Sequence, residues 1–196
     1  MEDKKEILYK CAKTLFSEKG FKATNVSNIT KMAGVAVGTY YNYYSSKEKL
    51  FMEIFMDENY KLKKSMMESV DLNDDPVKLT SKLFELNISG MKNNPILCQW
   101  FNGEVFDKIE KIFREENGMQ AVDFLYGDFI KIIEKWQSDG KMRSDISAEM
   151  IMAIFASIVN IDTHKEEIGI QYFPEVQMYI SDFVMKALIN AETDKE

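Results

Sequence analysis

The chain has 196 residues, 45% of them hydrophobic and with only 9 Gly and 3 Pro between them, enough to bury a sizeable core in one or two domains. No apolar run approaches the roughly 18–20 residues that cross a bilayer, so no membrane-spanning helix is expected. Net charge is −7, but residues 1–50 hold 9 Lys against 5 Asp/Glu while the remainder is strongly acidic, an asymmetry that suggests two jobs.

Apolar residues recur every three to four positions along most of the chain, which predicts an all-α protein. The N-terminal stretch MEDKKEILYKCAKTLF is charged and amphipathic and has no signal-peptide apolar block. Ile7, Leu8, Cys11, Ala12, Leu15 and Phe16 form the broad stripe of a first helix, and Gly20 supplies its stop. A short helix follows from about Val26 to Ala33, with Thr24 or Asn25 as cap and Ile29 and Met32 facing inward. Gly34 marks a tight turn, and a second short helix runs from about Val37 to Tyr43. The next helix opens on a capping box, Ser45 as N-cap and Glu48 at N3, and continues to roughly Val70.

The polar stretch DLNDDP (71–76) breaks the chain. Beyond it, helices are expected at about 76–93, 96–116, 119–138, 147–161 and 173–191. Asn93-Asn94-Pro95, Asn117-Gly118, Asp139-Gly140 and Pro174 punctuate them, and the tail AETDKE is expected to fray.

Two short helices joined by a glycine turn, inside a small bundle, describe a helix-turn-helix. Four tyrosines crowd the second of them. Tyr40 and Tyr44 are four apart and read as core, whereas Val37, Gly38, Tyr41 and Asn42 cluster on the opposite side with Thr39 at the flank. No acidic residue lies in 33–47. Such a face suits the major groove: small residues allow close approach, hydroxyls bond phosphate, Asn pairs with adenine and Val meets a thymine methyl. Lys47 adds a cation for a phosphate, and Thr24 and Ser27 can contact the backbone similarly.

In ordered, gapless succession the span 5–55 resembles the DNA-binding domain of TetR-family transcriptional regulators. The matching pieces are Ile7-Leu8, Leu15-Phe16, Lys19-Gly20-Phe21, Thr24-Asn25-Val26, Ala33-Gly34-Val35, Gly38-Thr39 with Tyr41, and Ser46-Lys47-Glu48 with Leu50. The resemblance implies a dimeric regulator, usually a repressor, with residues 1–46 as the DNA-binding domain and 47–196 as a larger helical domain for effector binding and dimerisation. It implies phosphate contacts at Thr39, Tyr41 and Lys47, helped by Thr24 and Ser27, and a base-reading face of Val37, Gly38 and Asn42. Two departures stand out: Ala36 replaces the usual serine opening the recognition helix, and Thr30 replaces a small apolar residue.

One helix-turn-helix contacts few base pairs, so two must pair on a palindromic operator. The widest apolar stripes, on the last two long helices, predict the homodimer interface: Ile151, Ile154, Phe155 and Ile158 on one, Val176, Ile180, Phe183 and Val184 on the other. Phe84, Asn87, Met91, Trp100, Phe101, Phe129, Ile133 and Trp136 supply large apolar groups with an amide, the lining expected for an unknown hydrophobic or amphipathic effector.

Cys11 and Cys98 lie among apolar neighbours outside any CxxC or Cys/His cluster and read as buried, reduced thiols of a cytoplasmic protein. With one histidine, His164, no phosphate loop and no nucleophile motif, the chain is read as no enzyme, with no catalytic residue, metal or cofactor. Two other readings stay open. One is a helical protein-interaction module; the other is a DNA binder controlled by a partner protein.

Overall fold

The computed structural model describes residues 3–115 and 124–189, and every regular element among them is helical. Helix α1 (Lys4–Ala23) opens on Asp3, whose carboxylate accepts from the Lys5 N–H at 3.1 Å. It breaks at Gly20, whose φ of 77° lies in the left-handed region, and adds one turn that swings Phe21 into the core. There Phe51 meets Phe16 and Phe21 edge to face, with centroids 5.0 Å and 4.9 Å apart.

Helix α2 (Val26–Ala33) is capped by Asn25, which accepts from the Asn28 N–H at 2.8 Å, and it ends on Gly34 at φ 68°. Its inward face differs from the expected one. Met32 is exposed, while Thr30 is buried and donates its hydroxyl to the Ser27 carbonyl one turn back. Helix α3 spans Val37–Tyr41, two residues shorter than predicted, and Ala36 at its start makes no side-chain cap bond. Helix α4 (Lys47–Glu68) is capped by Ser46, not Ser45: the Ser46 hydroxyl accepts from the Lys49 N–H at 3.1 Å. That one-residue shift removes the predicted pairing with Glu48. It follows from the buried Tyr40, whose phenol donates to the Ser46 carbonyl and holds that residue at the helix entrance.

Helix α5 (Pro76–Asn93) begins at Asp75, whose carboxylate accepts from the Val77 and Lys78 N–H groups. The helix expected over 96–116 is two elements. A 3₁₀ turn (Leu97–Phe101) is started by the Asn94 side chain, and α6 (Gly103–Glu115) follows a break at extended Asn102. Helices α7 (Phe124–Ser138), α8 (Ala148–Asn160) and α10 (Glu175–Ile189) lie close to expectation, with Ser147 capping α8. Three short turns lie between the last two, among them α9 (Lys165–Ile168). The expected breaker Asn117-Gly118, positions 119–123 and 190–191, and the tail fall outside the described residues.

Packing divides the chain into two compact units, Met1–Lys64 with Ser89–Ala121, and Ser65–Ile88 with Val122–Glu196. This is a different partition from a functional boundary at residue 46, because the first part of α4 belongs to the first unit. In that unit the aromatic core extends from α1 and α4 to Trp100, which packs against Phe55, Phe106 and Phe113. A polar hub lies beside it. Glu58 on α4 accepts from Lys13 of α1 at 2.6 Å and from Asn94 at 2.9 Å, while Asp57 accepts from Tyr9 at 2.7 Å. Burial raises the Glu58 pKa, but these donors and Lys61 outweigh it and hold the carboxyl below its usual value. The second unit has its own core of Leu79, Ile132, Ile133, Trp136, Ile151, Met185 and Leu188. Among the described residues no helix is long and apolar enough to cross a membrane.

Candidate nucleic-acid interface

The two helices of the motif are set by the Gly34 turn, which the Val35 N–H secures by bonding the Thr30 carbonyl at 3.0 Å. Around α3 the tyrosines separate cleanly. Tyr40 and Tyr44 are buried; the Tyr40 phenol donates to the Ser46 carbonyl at 3.0 Å and that of Tyr44 to Glu53 at 3.3 Å. Burial, followed by the nearby carboxylates Glu48 and Glu53 respectively, raises both phenol pKa values, so both act as neutral donors. Tyr41 is 55% exposed, and Val37, Gly38, Asn42 and Tyr43 are exposed with it; Thr39 is half-buried at the flank.

Gly38 is informative because nothing in the fold demands it. Its φ is not in the left-handed region, and a Cβ placed there would meet no atom within 4 Å. Glycine nonetheless costs a helix about 1 kcal/mol relative to alanine. A position that carries this cost without an internal reason fits a surface that another molecule approaches closely. Ser27 lies exposed at the first turn of α2, and Lys31 and Met32 are exposed at its last turn.

Two residues predicted at the phosphates are turned inward. Thr24 is 1% exposed, and its hydroxyl is shared between the Leu15 and Gly20 carbonyls at 3.2 and 2.9 Å. The Lys47 ammonium donates to the Phe21 carbonyl at 2.8 Å and the Thr24 carbonyl at 2.9 Å, and sits 4.0 Å from the centre of the Phe21 ring. Burial lowers its pKa. The end of a helix leaves carbonyls without partners, and a cation satisfies them while gaining the helix dipole and the ring face. Lys47 thus clamps the end of α1 to the start of α4. The positive charge near the motif was legible in sequence; its use as an internal clamp was not, because its partners lie 23 and 26 positions away.

Residues 8–54 match the family model described as bacterial regulatory proteins, tetR family. Over that span, the N-terminal quarter of the chain, the residues are those of the TetR family. The helix-turn-helix, the α2–α3 pair, lies inside the matched span. Over 156 residues the chain is 22% identical to the HTH-type transcriptional repressor KstR2 of Mycolicibacterium smegmatis, covering 76% of this chain and 72% of that one. Two solved structures share its fold. The repressor FadR of Thermus thermophilus, solved with lauroyl-CoA, is 21% identical with a TM-score of 0.62 over 97% of this chain and 96% of that one. RolR, solved with resorcinol, is 14% identical with a TM-score of 0.62 over 94% and 87%.

The residues predicted for the body distribute as follows. Met91, Trp100 and Phe101 pack in the core of the first unit, while Phe129, Ile133 and Trp136 pack in that of the second. Phe84 and Asn87 are half-buried on α5. Among the described residues the buried Trp136 indole N–H has no acceptor. A cleft of about 330 Å³ in the second unit is lined by Ser69, Val70, Asp71, Asp74, Lys78, Leu79 and Lys82, none of them in the predicted set. On α8 and α10 the predicted interface residues differ in exposure. Ile151 is fully buried among Leu79, Ile133 and Trp136, which removes it from any contact with a partner, and Ile158 is nearly covered. Ile154, Phe155, Val176, Ile180 and Val184 are half-buried, whereas Phe183 is 64% exposed, as is Tyr179 stacked 6.4 Å from it. Met150 and Val159, on the same apolar stripe of α8, are exposed as well.

Proposed function

We propose that this chain is an effector-responsive transcriptional repressor that binds a palindromic operator as a homodimer. The α3 face reads the major groove, with Val37, Gly38 and Asn42 toward the bases and Thr39, Tyr41 and Ser27 toward phosphates. The observation that carries this reading is the outward face of α3. It exposes a phenol, an amide and a glycine that the fold does not need, while both neighbouring tyrosines are committed to the core. Residues 1–46 serve as the DNA-binding domain and 47–196 as the effector and dimerisation domain.

The exposed apolar side chains of α8 and α10, Phe183 and Tyr179 above all, support self-association. The lauroyl-CoA and resorcinol held by the two structural relatives support a hydrophobic or amphipathic effector here. The unsatisfied Trp136 N–H offers that effector a hydrogen-bond donor in an otherwise apolar setting. Release follows as a population shift. An effector that prefers a conformation with the wrong spacing between recognition helices weakens DNA binding by its differential affinity, and by no more.

The test is anisotropy binding of the whole chain to a randomised duplex pool, sequencing of the retained fraction and a salt titration. An enriched near-palindrome is expected, with affinity falling steeply with salt. Tyr41→Phe should weaken binding by about 1 kcal/mol, roughly fivefold, without changing the selected sequence. Weak, salt-indifferent binding with no enriched site would transfer the exposed face to a protein partner and defeat the reading.

A further inference from the structure

We infer that the base-reading face of α3 selects an A·T-rich half-site, with a thymine methyl against Val37 and an adenine opposite Asn42. This rests on the operator-binding reading above and specifies the DNA sequence class that it leaves open.

The inference comes from what the exposed face lacks as much as from what it holds. Between residues 33 and 46 there is no Arg, Lys, Asp, Glu, His or Gln. In the major groove, guanine presents two acceptors, O6 and N7, which Arg or Lys satisfies best, and cytosine presents an N4 amino group that a carboxylate accepts. Neither partner exists on α3. The cation next in sequence, Lys47, spends its ammonium on the Phe21 and Thr24 carbonyls, so it is not available to a guanine. Lys31 lies on the other helix of the motif, at its last turn.

What α3 does expose matches an A·T pair. Val37, 46% exposed at the first position of the helix, presents two methyl groups to the thymine C5-methyl. Asn42 carries an NH2 donor group beside a carbonyl acceptor on a planar amide, the complement of adenine N7 and N6. Among the described residues, no group of the chain hydrogen-bonds the Asn42 side chain or the Tyr41 phenol, so both are free to face outward. Gly38 removes the side chain that would hold the helix backbone away from the pair beside Val37. Tyr41, Tyr43 and Ser45 carry hydroxyls that donate and accept alike; they add affinity without discriminating against A·T.

The experiment is a two-stage selection with the full-length protein. First, the enriched duplexes are read for base composition at the centre of each half-site. Second, each thymine of the best site is replaced singly by deoxyuridine, which deletes the methyl and keeps the hydrogen-bonding edge, and binding of wild type and Val37→Ala is compared. The expected result is an A·T-rich half-site centre and one thymine whose methyl is worth about fourfold in affinity to the wild type, as for one buried methylene. The same replacement should leave Val37→Ala unaffected, and the exposure of Val37 means that variant folds, as circular dichroism would verify. An enriched palindrome with G·C at the half-site centre, or with no methyl-sensitive thymine, overturns the inference while operator binding stands. Absence of any enriched sequence overturns both.

Discussion

Gly38 and Lys165 each contradict a local preference, and each does so in a measurable way. Alanine at position 38 meets open space and restores helix propensity, so Gly38→Ala should raise the melting temperature by an amount equivalent to about 1 kcal/mol or less. The same variant should weaken operator binding, since its methyl occupies the gap through which the duplex approaches. A thermal melt and an anisotropy titration on one sample decide the matter; unchanged affinity would remove Gly38 from the interface. Lys165 is a fully buried lysine on α9 with the Asp162 carboxylate 3.9 Å away. Burial lowers its pKa to about 8, against the opposing pull of Asp162 and Glu166. In the unfolded chain lysine titrates near about 10.4, so between those values the unfolded state binds more protons and stability rises with pH. Above the upper end the phenols of half-buried Tyr9 and buried Tyr40 and Tyr44, whose pKa values burial raises, reverse the slope. Urea unfolding from pH 7 to 9.5 should show the rise in wild type and a flatter profile in Lys165→Met. Equal slopes would mean the amine stays charged in the fold.

Among the elements, those whose start and stop signals are local came out close to expectation. Asn25 and Gly34 bracket α2, and Ser147 opens α8. The misplaced boundaries have non-local causes. The α4 cap moved to Ser46 because a buried tyrosine six residues earlier holds its carbonyl. The helix expected over 96–116 broke at Asn102, where the chain turns between a 3₁₀ segment and α6 with Trp100 packed on Phe55 of α4 and on Phe106 and Phe113 of α6. On α8 the stripe was legible, but not which edge of it faces inward: Ile151 is core and its neighbour Met150 is exposed. The exposed edge of α10 carries the dimer proposal. Phe183→Glu should yield a monomer by sedimentation velocity, with the helical circular dichroism retained because the side chain lies outside the chain's own core. Operator affinity should fall by more than tenfold, since two linked heads bind with an effective concentration that one head lacks. A variant that remained dimeric would place the interface elsewhere.

For the whole molecule, the two packed cores set the terms on which a response to an effector can work. Each has its own aromatic or indole centre, Trp100 in the first and Trp136 in the second, and among the described residues the buried Trp136 N–H has no hydrogen-bond partner. A buried donor without a partner costs about 1–3 kcal/mol, which a bound molecule with an acceptor recovers. On the proposed reading, an effector whose acceptor reaches that N–H gains affinity from the bond, and it shifts operator occupancy only by as much as it prefers one conformation over another.

The sequence by itself determined the all-helical class, the order of the helix-turn-helix elements and the division of Tyr40 and Tyr44 from Tyr41. All of these follow from the 3.6-residue period and from signals within a few positions, properties of the backbone that need no distant partner. Only the tertiary structure decided where the ends of long or polar side chains go. It turned Thr24 into the core and drew Lys47 onto the carbonyls of α1. It placed Met32 outside and Ile151 inside. A flexible side chain samples a radius of several ångströms, and the carbonyl, ring or carboxylate that captures it is supplied by another part of the chain.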